Sequence, residues 1–381
     1  LVSKYHQSNA KTIAFKVSGS ADNCAMSNEP NLSAGILADD LTSAADGAGP
    51  FVARGLRAIA GRGCLPQQDF PVAAVDSGSR SAAAGQAVER TARLTAQLAP
   101  RRILYKTVDS TLRGHVTVEL EAAFKACGRS RLVLAPAFPE AGRITRDGIQ
   151  FVDGVPVSES VYGRDPVHPA RTSDLASLVP ADIRDKVILL DASSQEELDA
   201  RVAALPDPQD ILWVGSPGMA MALARRLMPA PVPAEMPLPP VQTVLAVIGS
   251  ANPCSHRQAD QVVGLTGVQV LRSPSIRQDK PADILRSLTS QAAELLRESA
   301  VELLIATGGD TMEAVLDLLN IRTFEILAEL EPGFPLGRAA DGDGRGLLLA
   351  MKAGGFGDDQ TLVRVITQLR HAGPSSERTL P

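Results

Sequence analysis

Short apolar runs alternate with stretches of helical spacing along most of the chain. SAGILA (33–38), FPVAAVDS (70–77) and RRILYKT (101–107) are dense in aliphatic residues and predict three strands. HVTVELEAAFKAC (115–127), with Val118, Leu120, Ala122 and Phe124 patterned less cleanly than in an ideal amphipath, is read as a helix after the third strand. RLVLAPA (131–137), KVILLDA (186–192) and DILWVGS (210–216) read as further strands. PGMAMALARRLM (217–228) reads as a helix with proline in its first turn. Alternation of this kind argues for an α/β fold with mainly parallel sheets covered by helices.

The pattern breaks at MPAPVPAEMPLPPVQ (228–242), where six prolines fall between 229 and 240. Proline lacks the amide donor and fixes its backbone, so neither a helix nor a central strand fits. The segment reads as a semi-rigid linker. After it the alternation restarts. TVLAVIGS (243–250), ELLIATGGDT (302–311) and GLLLAMKAGGFG (346–357) read as strands running into glycine-rich turns. Helices are expected over 281–298, 311–319 and roughly 358–370. The chain therefore divides into an N-terminal α/β domain (31–227), the linker, and a C-terminal α/β domain (243–372). Residues 1–30 start without Met and lack a long apolar core, so they read as a poorly ordered extension rather than a secretory signal.

Composition narrows the class. The 381 residues are 44% hydrophobic and 21% charged, enough for two to three domains with substantial cores. The formal net charge of −5 is spread along the chain, with no basic stripe, which excludes nucleic acid as the expected partner. Aliphatic runs such as VLAVI fall far short of the roughly 20 residues a membrane span needs. Cys24, Cys64, Cys127 and Cys254 are scattered and form no CxxC, as suits reduced thiols in a cytoplasmic protein.

Chemistry concentrates at strand ends. ILADDLTSAADGAGP (36–50) closes the first strand with two adjacent acids, Asp39 and Asp40, and carries a further acid at Asp46. DSGSR, with Arg80, follows the second strand. KTVDSTLRGH, with Lys106, Asp109, Ser110, Thr111 and Arg113, follows the third. In open α/β sheets ligands bind outside the carboxyl ends of the strands, so parallel strands would bring these clusters to one crevice. Arginine and lysine suit a carboxylate or phosphate there, and aspartates suit sugar hydroxyls. A surface turn with a helix cap at Ser110 or Thr111 is the plainer reading of the third cluster. APAFPEAGRITRDG (135–148) is a further polar segment, read as a loop with Glu140, Arg143, Arg146 and Asp147. In the second half, GSANPCS (249–255), TGGDT (307–311) and KAGGFG (352–357) are three strand–glycine junctions, the pattern of a nucleotide site using helix N–H groups. Neither a P-loop nor a dinucleotide fingerprint is present.

These residues together resemble the four-carbon acid sugar kinases. The resemblance rests on ILADDLTSAADGA, AVDSGSR, YKTVDSTLRGHVTVEL, LAPAFPEAGRITRDGIQFVDGVPVSES, YGRDPVHP, ATGGDTMEAVL and LLLAMKAGGFG, in family order from about residue 34 to 370. It implies an N-terminal sugar-acid domain, a C-terminal nucleotide domain and an active site in the cleft between them. It also implies transfer of phosphate from ATP to the 4-hydroxyl of D-threonate, D-erythronate or a 3-oxo-tetronate. By motif, Asp40, with Asp39 as an alternative, Arg80, Lys106, Asp109 and Ser110 would form the acid site. Asn252 or Ser255, Gly308, Gly309, Asp310, Thr311 and Gly354 would form the ATP site. The chain departs from the family pattern at Ser43, where glycine is usual, and at GSANPCS and GGDT.

Phosphoryl transfer needs positioning and charge neutralisation more than covalent chemistry. Arg80 and Lys106, with Arg113 nearby, are expected to grip the substrate carboxylate or the migrating phosphoryl. Asp40 or Asp109 is the expected catalytic base, and Mg²⁺ is expected on the phosphates with Asp310 as a candidate ligand. The expected partners are ATP and a small sugar acid, with homodimer formation left open. A non-catalytic sugar-acid sensor and a nicotinamide-dependent dehydrogenase are the rival readings. The missing dinucleotide fingerprint weighs against the second.

Overall fold

The computed structural model describes residues 33–165, 168–230, 238–274, 281–352 and 354–372. The 1–30 extension lies outside the described residues, as do 231–237 of the proline-rich linker.

The N-terminal half runs β1 (Ala34–Ala38), α1 (Leu41–Val52), β2 (Ala58–Arg62), β3 (Val72–Asp76), α2 (Ala84–Leu98), β4 (Ile103–Thr107), α3 (Val116–Cys127) and β5 (Arg131–Ala135). It continues with β6 (Arg143–Arg146), β7 (Ile149–Val152), β8 (Val155–Pro156), α4 (Leu175–Leu178), β9 (Val187–Leu189), α5 (Gln195–Ala203), β10 (Ile211–Gly215) and α6 (Pro217–Leu227). The C-terminal half runs β11 (Val244–Ile248), α7 (Pro253–Val262), β12 (Val268–Arg272), α8 (Pro281–Glu298), β13 (Leu303–Thr307) and α9 (Gly309–Leu318). It ends with β14 (Thr323–Glu331), β15 (Phe334–Ala339), β16 (Leu348–Lys352) and α10 (Thr361–His371).

The strands anticipated from the apolar runs are present. Those on either side of the linker belong to one 13-stranded sheet, ordered β12-β11-β13-β16-β15-β14-β2-β3-β1-β4-β10-β5-β9. Pairing is parallel within β2-β3-β1-β4-β10-β5-β9 and within β12-β11-β13-β16. The seam between the halves is the antiparallel pair β14–β2, from Thr323 opposite Gly61 to Ile326 opposite Ala58. Arg62 reinforces it, donating to the Ile321 carbonyl (3.0 Å) and pairing with Asp317 (3.0 Å).

Three apolar clusters cover the sheet. One is continuous across both halves and includes Phe51, Trp213, Met312 and Phe324. A second lies under α2 and α3, with Leu94, Leu98, Leu120 and Phe124. A third lies under α7 and α10. Small residues let α1 settle deep on the strands: a Cβ at Gly47 would stand 3.0 Å from the Ile36 side chain and 3.2 Å from Thr107.

Three features differ from the expectation. Within the 135–148 segment read as a loop, Arg143–Arg146 is a strand that opens a small three-stranded sheet running to residue 156. Its turns, Asp147-Gly148 and Asp153-Gly154, hold all four residues at positive φ, the geometry that Asp-Gly hairpins favour. The short strand β2 is rich in alanine and glycine, and so carried little apolar signal. The hairpin β14–β15 turns at Pro332-Gly333 and is interrupted by register shifts, which blur any period-of-two pattern.

Candidate active site

Parallel register brings the polar clusters of the N-terminal half to one edge. Ala38 lies opposite Asp76, and Leu37 opposite Lys106, so the segments after β1, β3 and β4 emerge side by side. Arg80 is their hub. Its Nε and Nη2 donate to the two Asp39 carboxylate oxygens at 2.8 Å each, and Nη1 pairs with Asp40. Asp40 also caps α1, accepting from the Ser43 N–H (2.7 Å) and the Thr42 hydroxyl (3.1 Å). Burial alone would weaken the Arg80 cation, but Asp39, Asp40 and Asp109 outweigh that and keep it charged.

Asp109 is committed as well. It accepts from the Thr111 hydroxyl (2.6 Å) and from Arg113, which also reaches Asp165 at 3.4 Å. Burial would raise the Asp109 carboxyl, yet Arg113 and Arg80 hold it below the usual carboxylate range. Ser110 lines a cavity beside this pair. Lys106 is turned away from that cavity. It is 1% exposed and forms a buried ion pair with Glu119 of α3 at 2.7 Å. The structure thus gathers Asp39, Asp40, Arg80, Asp109, Ser110 and Arg113, and does not bring Lys106 to them.

The glycine junctions of the C-terminal half knit together in the same way. The Ser250 N–H donates to Thr307 (3.1 Å), and the Gly308 N–H donates to Lys352 (2.8 Å). Gly308 starts α9 at a φ of 95°, in the left-handed region where glycine is favoured. A Cβ at Gly249 would fall 1.9 Å from the Thr311 hydroxyl. Ser255 is fully buried and donates to the Gly354 carbonyl (2.7 Å), while Asn252 caps α7 through the Cys254 N–H (2.9 Å). Both therefore shape the loops, and neither lines the cavity that Gly308, Gly309, Asp310, Thr311 and Gly354 face.

That cavity, of about 780 Å³, opens between the halves. One wall carries Asp39, Asp40, Thr42 and Arg80. The other carries the glycine junctions and the N-terminus of α9, with Ile284, Leu285 and Leu288 making an apolar end. The first turn of a helix has N–H groups without intrahelical partners, which suit phosphate oxygens. A second cavity, of about 200 Å³, adjoins it and is lined by Asp46, Asp109, Ser110, Arg113, Glu140, Arg143 and Tyr162. Glu329, Gly333 and Phe356 of the C-terminal half also line it. Thr42 and Arg80 line both cavities, so they stand where the two meet.

Acid crowding marks the junction. Glu313 of α9 is pushed up to about 7 by burial, with Asp310 and Asp40 adding to the effect against Arg62. Asp76 is likewise raised to about 7, by burial and then by Glu313. Burial lowers Lys352 to about 8; its ammonium donates to the Phe356 carbonyl (2.9 Å) and so steadies the Gly354 turn. Among the described residues no group of three or more His, Cys, Asp or Glu forms a metal-binding set.

Asp46, Glu140, Arg143, Tyr162, Glu313 and Glu329 had no assigned role in the sequence reading. For Asp46 the signal was there. Thr42, Asp46 and Pro50 recur every four residues, one face of a helix, and all three line the smaller cavity. No helix among the described residues is long and apolar enough to cross a membrane.

Comparison with known proteins agrees with this arrangement. A sugar-binding N-terminal domain model matches residues 34–205, and a nucleotide-binding C-terminal domain model matches 269–362. A D-threonate kinase of Bordetella bronchiseptica is 30% identical, over 88% of this chain and 97% of its own. A 3-oxo-tetronate kinase of Methylobacterium radiotolerans is 28% identical, over 86% of this chain and 97% of its own. A solved Haemophilus influenzae protein shares the fold, with a TM-score of 0.72 at 20% identity, covering 88% of this chain and 100% of that one.

Proposed function

The chain belongs to the four-carbon acid sugar kinase family, and from that premise we propose that it transfers the γ-phosphoryl of ATP to the 4-hydroxyl of D-threonate, D-erythronate or a 3-oxo-tetronate. It is a phosphotransferase with a nucleotide-binding half. The observation that carries the substrate reading is the pair of cavities meeting at Thr42 and Arg80. The larger has the size and the apolar end that a nucleotide needs, within the usual range of roughly 300–1,000 Å³ for ligand pockets. The smaller is lined by arginines, hydroxyls and carboxylates, the chemistry of a short polyhydroxy acid.

In this reading residues 31–227 hold the acid and 243–372 the nucleotide. The α9 N-terminus and the glycine junctions cradle the phosphates. Arg80, held in a fixed orientation by Asp39 and Asp40, faces the transferring phosphoryl and offsets its charge. Arg113, anchored by Asp109, and Arg143 take the substrate carboxylate. Mg²⁺ fits the donors present. Asp310 and Glu313 offer two carboxylates at the phosphate end, and Mg²⁺ habitually takes one or two carboxylates plus substrate phosphates. The ion would neutralise phosphate charge there.

A coupled ADP-release assay over D-threonate, D-erythronate and 3-oxo-tetronates tests the proposal. ADP release with one of these acids, and little with longer acids, is the expected result. Acid binding without any ADP release would favour the sensor reading and overturn this one.

A further inference from the structure

The carboxylates nearest the junction of the cavities are already engaged. Asp40 caps α1 and pairs with Arg80, and Asp109 serves Thr111 and Arg113. The attacking hydroxyl needs a proton acceptor with a free lone pair in the smaller cavity. Half-buried Asp46 lines that cavity; its Oδ1 is shut off from solvent with no hydrogen-bond partner, so the oxygen that a ligand in the cavity can reach is Oδ2, to which no hydrogen bond runs among the described residues. A buried carboxylate kept for structure alone would normally be satisfied by protein donors.

Resting on the kinase reading above, we propose that Asp46 is the catalytic base that takes the proton from the attacking hydroxyl. The hydroxyl oxygen forms its bond to the γ-phosphorus as the bond from that phosphorus to the β–γ bridging oxygen breaks. The proton passes to the Asp46 carboxylate, and ADP leaves with the bond electrons. Arg80 faces the same region from the loop after β3, so attacking oxygen and phosphoryl meet between a carboxylate and a fixed cation.

The surroundings of Asp46 suit this role. Burial raises its carboxyl well above the usual range, and Glu329 from β14 and Asp40 from its own helix add to this, while Arg80 opposes them. Tyr105 on β4 lies close enough to feel its charge. Across the cavity stand the Asp109–Arg113 pair, Glu140 and Arg143. A base of raised basicity accepts a hydroxyl proton more readily than an ordinary carboxylate.

The test uses the full chain with Mg²⁺, ATP and the four-carbon acid that gives most ADP. Asp46→Asn is expected to lower kcat by ~10²–10⁴-fold. KM for ATP should stay within about threefold, because Asp46 does not line the nucleotide cavity. In the unaltered chain kcat/KM should rise with pH along a limb set by Asp46, and that limb should vanish in Asp46→Asn. Asp46→Glu should recover part of the rate with the limb restored. Protection of the Asn variant against thermal unfolding by the acid separates lost chemistry from lost folding. A kcat within about fivefold of the parent, or an unchanged ascending limb, overturns the proposal. Absence of ADP release by the unaltered chain would instead overturn the kinase substrate reading, so the two failures are distinct.

Discussion

Asp76→Asn tests the electrostatic account of the junction without touching either cavity. Asp76 ends β3, is 5% exposed, and accepts the Gly78 N–H at 2.7 Å through Oδ1, a bond that an asparagine carbonyl oxygen can keep. Its carboxyl is raised from 3.8 to about 7, by burial first and then by Glu313, Asp40 and Asp39 against the Gly78 hydrogen bond. That is roughly three units, and at about 1.36 kcal/mol per unit the ceiling is ~4 kcal/mol. Relaxation and water in the neighbouring cavity reduce this, so ~2 kcal/mol is the working figure. The sign follows from linkage. A carboxyl raised in the folded state favours folding while protonated, so its contribution is complete below about pH 4 and is lost as pH rises towards 7. Above pH 7 the buried charge is carried in full. Asp76→Asn removes it, so the variant should melt ~2–3 °C higher than the parent at pH 8, at about 2.1 cal/mol/K of unfolding entropy per residue. Near pH 4 the two should nearly coincide. Thermal denaturation of the ligand-free chain from pH 4 to 8 measures this. A gain independent of pH, or a loss at pH 8, would refute the reasoning.

Other outcomes follow from the same geometry. Arg80→Lys keeps a charge but loses the forked bonds to Asp39, and is expected to cost at least ~10²-fold in kcat by steady-state kinetics. Gly249→Ala drives a methyl into the Thr311 hydroxyl, so KM for ATP should rise ~10-fold or more while acid protection of the fold persists. Asp310→Asn should raise the Mg²⁺ concentration at half-maximal rate, read by Mg²⁺ titration at fixed ATP; an unchanged midpoint removes Asp310 from the ion's surroundings. Lys106→Met strands the buried Glu119 charge and should destabilise the protein by ~3–5 kcal/mol in chemical denaturation, whereas Lys106→Met with Glu119→Leu should recover most of it.

Lys106 shows where sequence reading stops. A lysine in KTVDSTLRG reads as a ligand-binding cation, but side chains alternate across a strand, and position 106 points into the layer under α3 where Glu119 waits. Asp39, Asp40 and Arg80 were legible because strand ends in a parallel sheet must emerge together. The division of labour between them was not legible, since it depends on which oxygen caps a helix and which meets a guanidinium. Ser255 and Asn252 illustrate the same limit. Their motif marks the loop proposed to hold the nucleotide, while their side chains are spent on its internal hydrogen bonds. The 143–156 sheet is a different matter: two Asp-Gly pairs announce its turns, and only the surrounding charges make it resemble a loop.

The seam between β14 and β2 bears on how the molecule comes apart. Each half on its own would end in a raw strand edge, β2 on one side and β14 on the other, with Phe51 and Phe324 uncovered beneath. Such edges template aggregation. Cutting the chain within the proline-rich segment would therefore leave the fragments associated, and separating them would yield sticky, insoluble pieces rather than two working proteins.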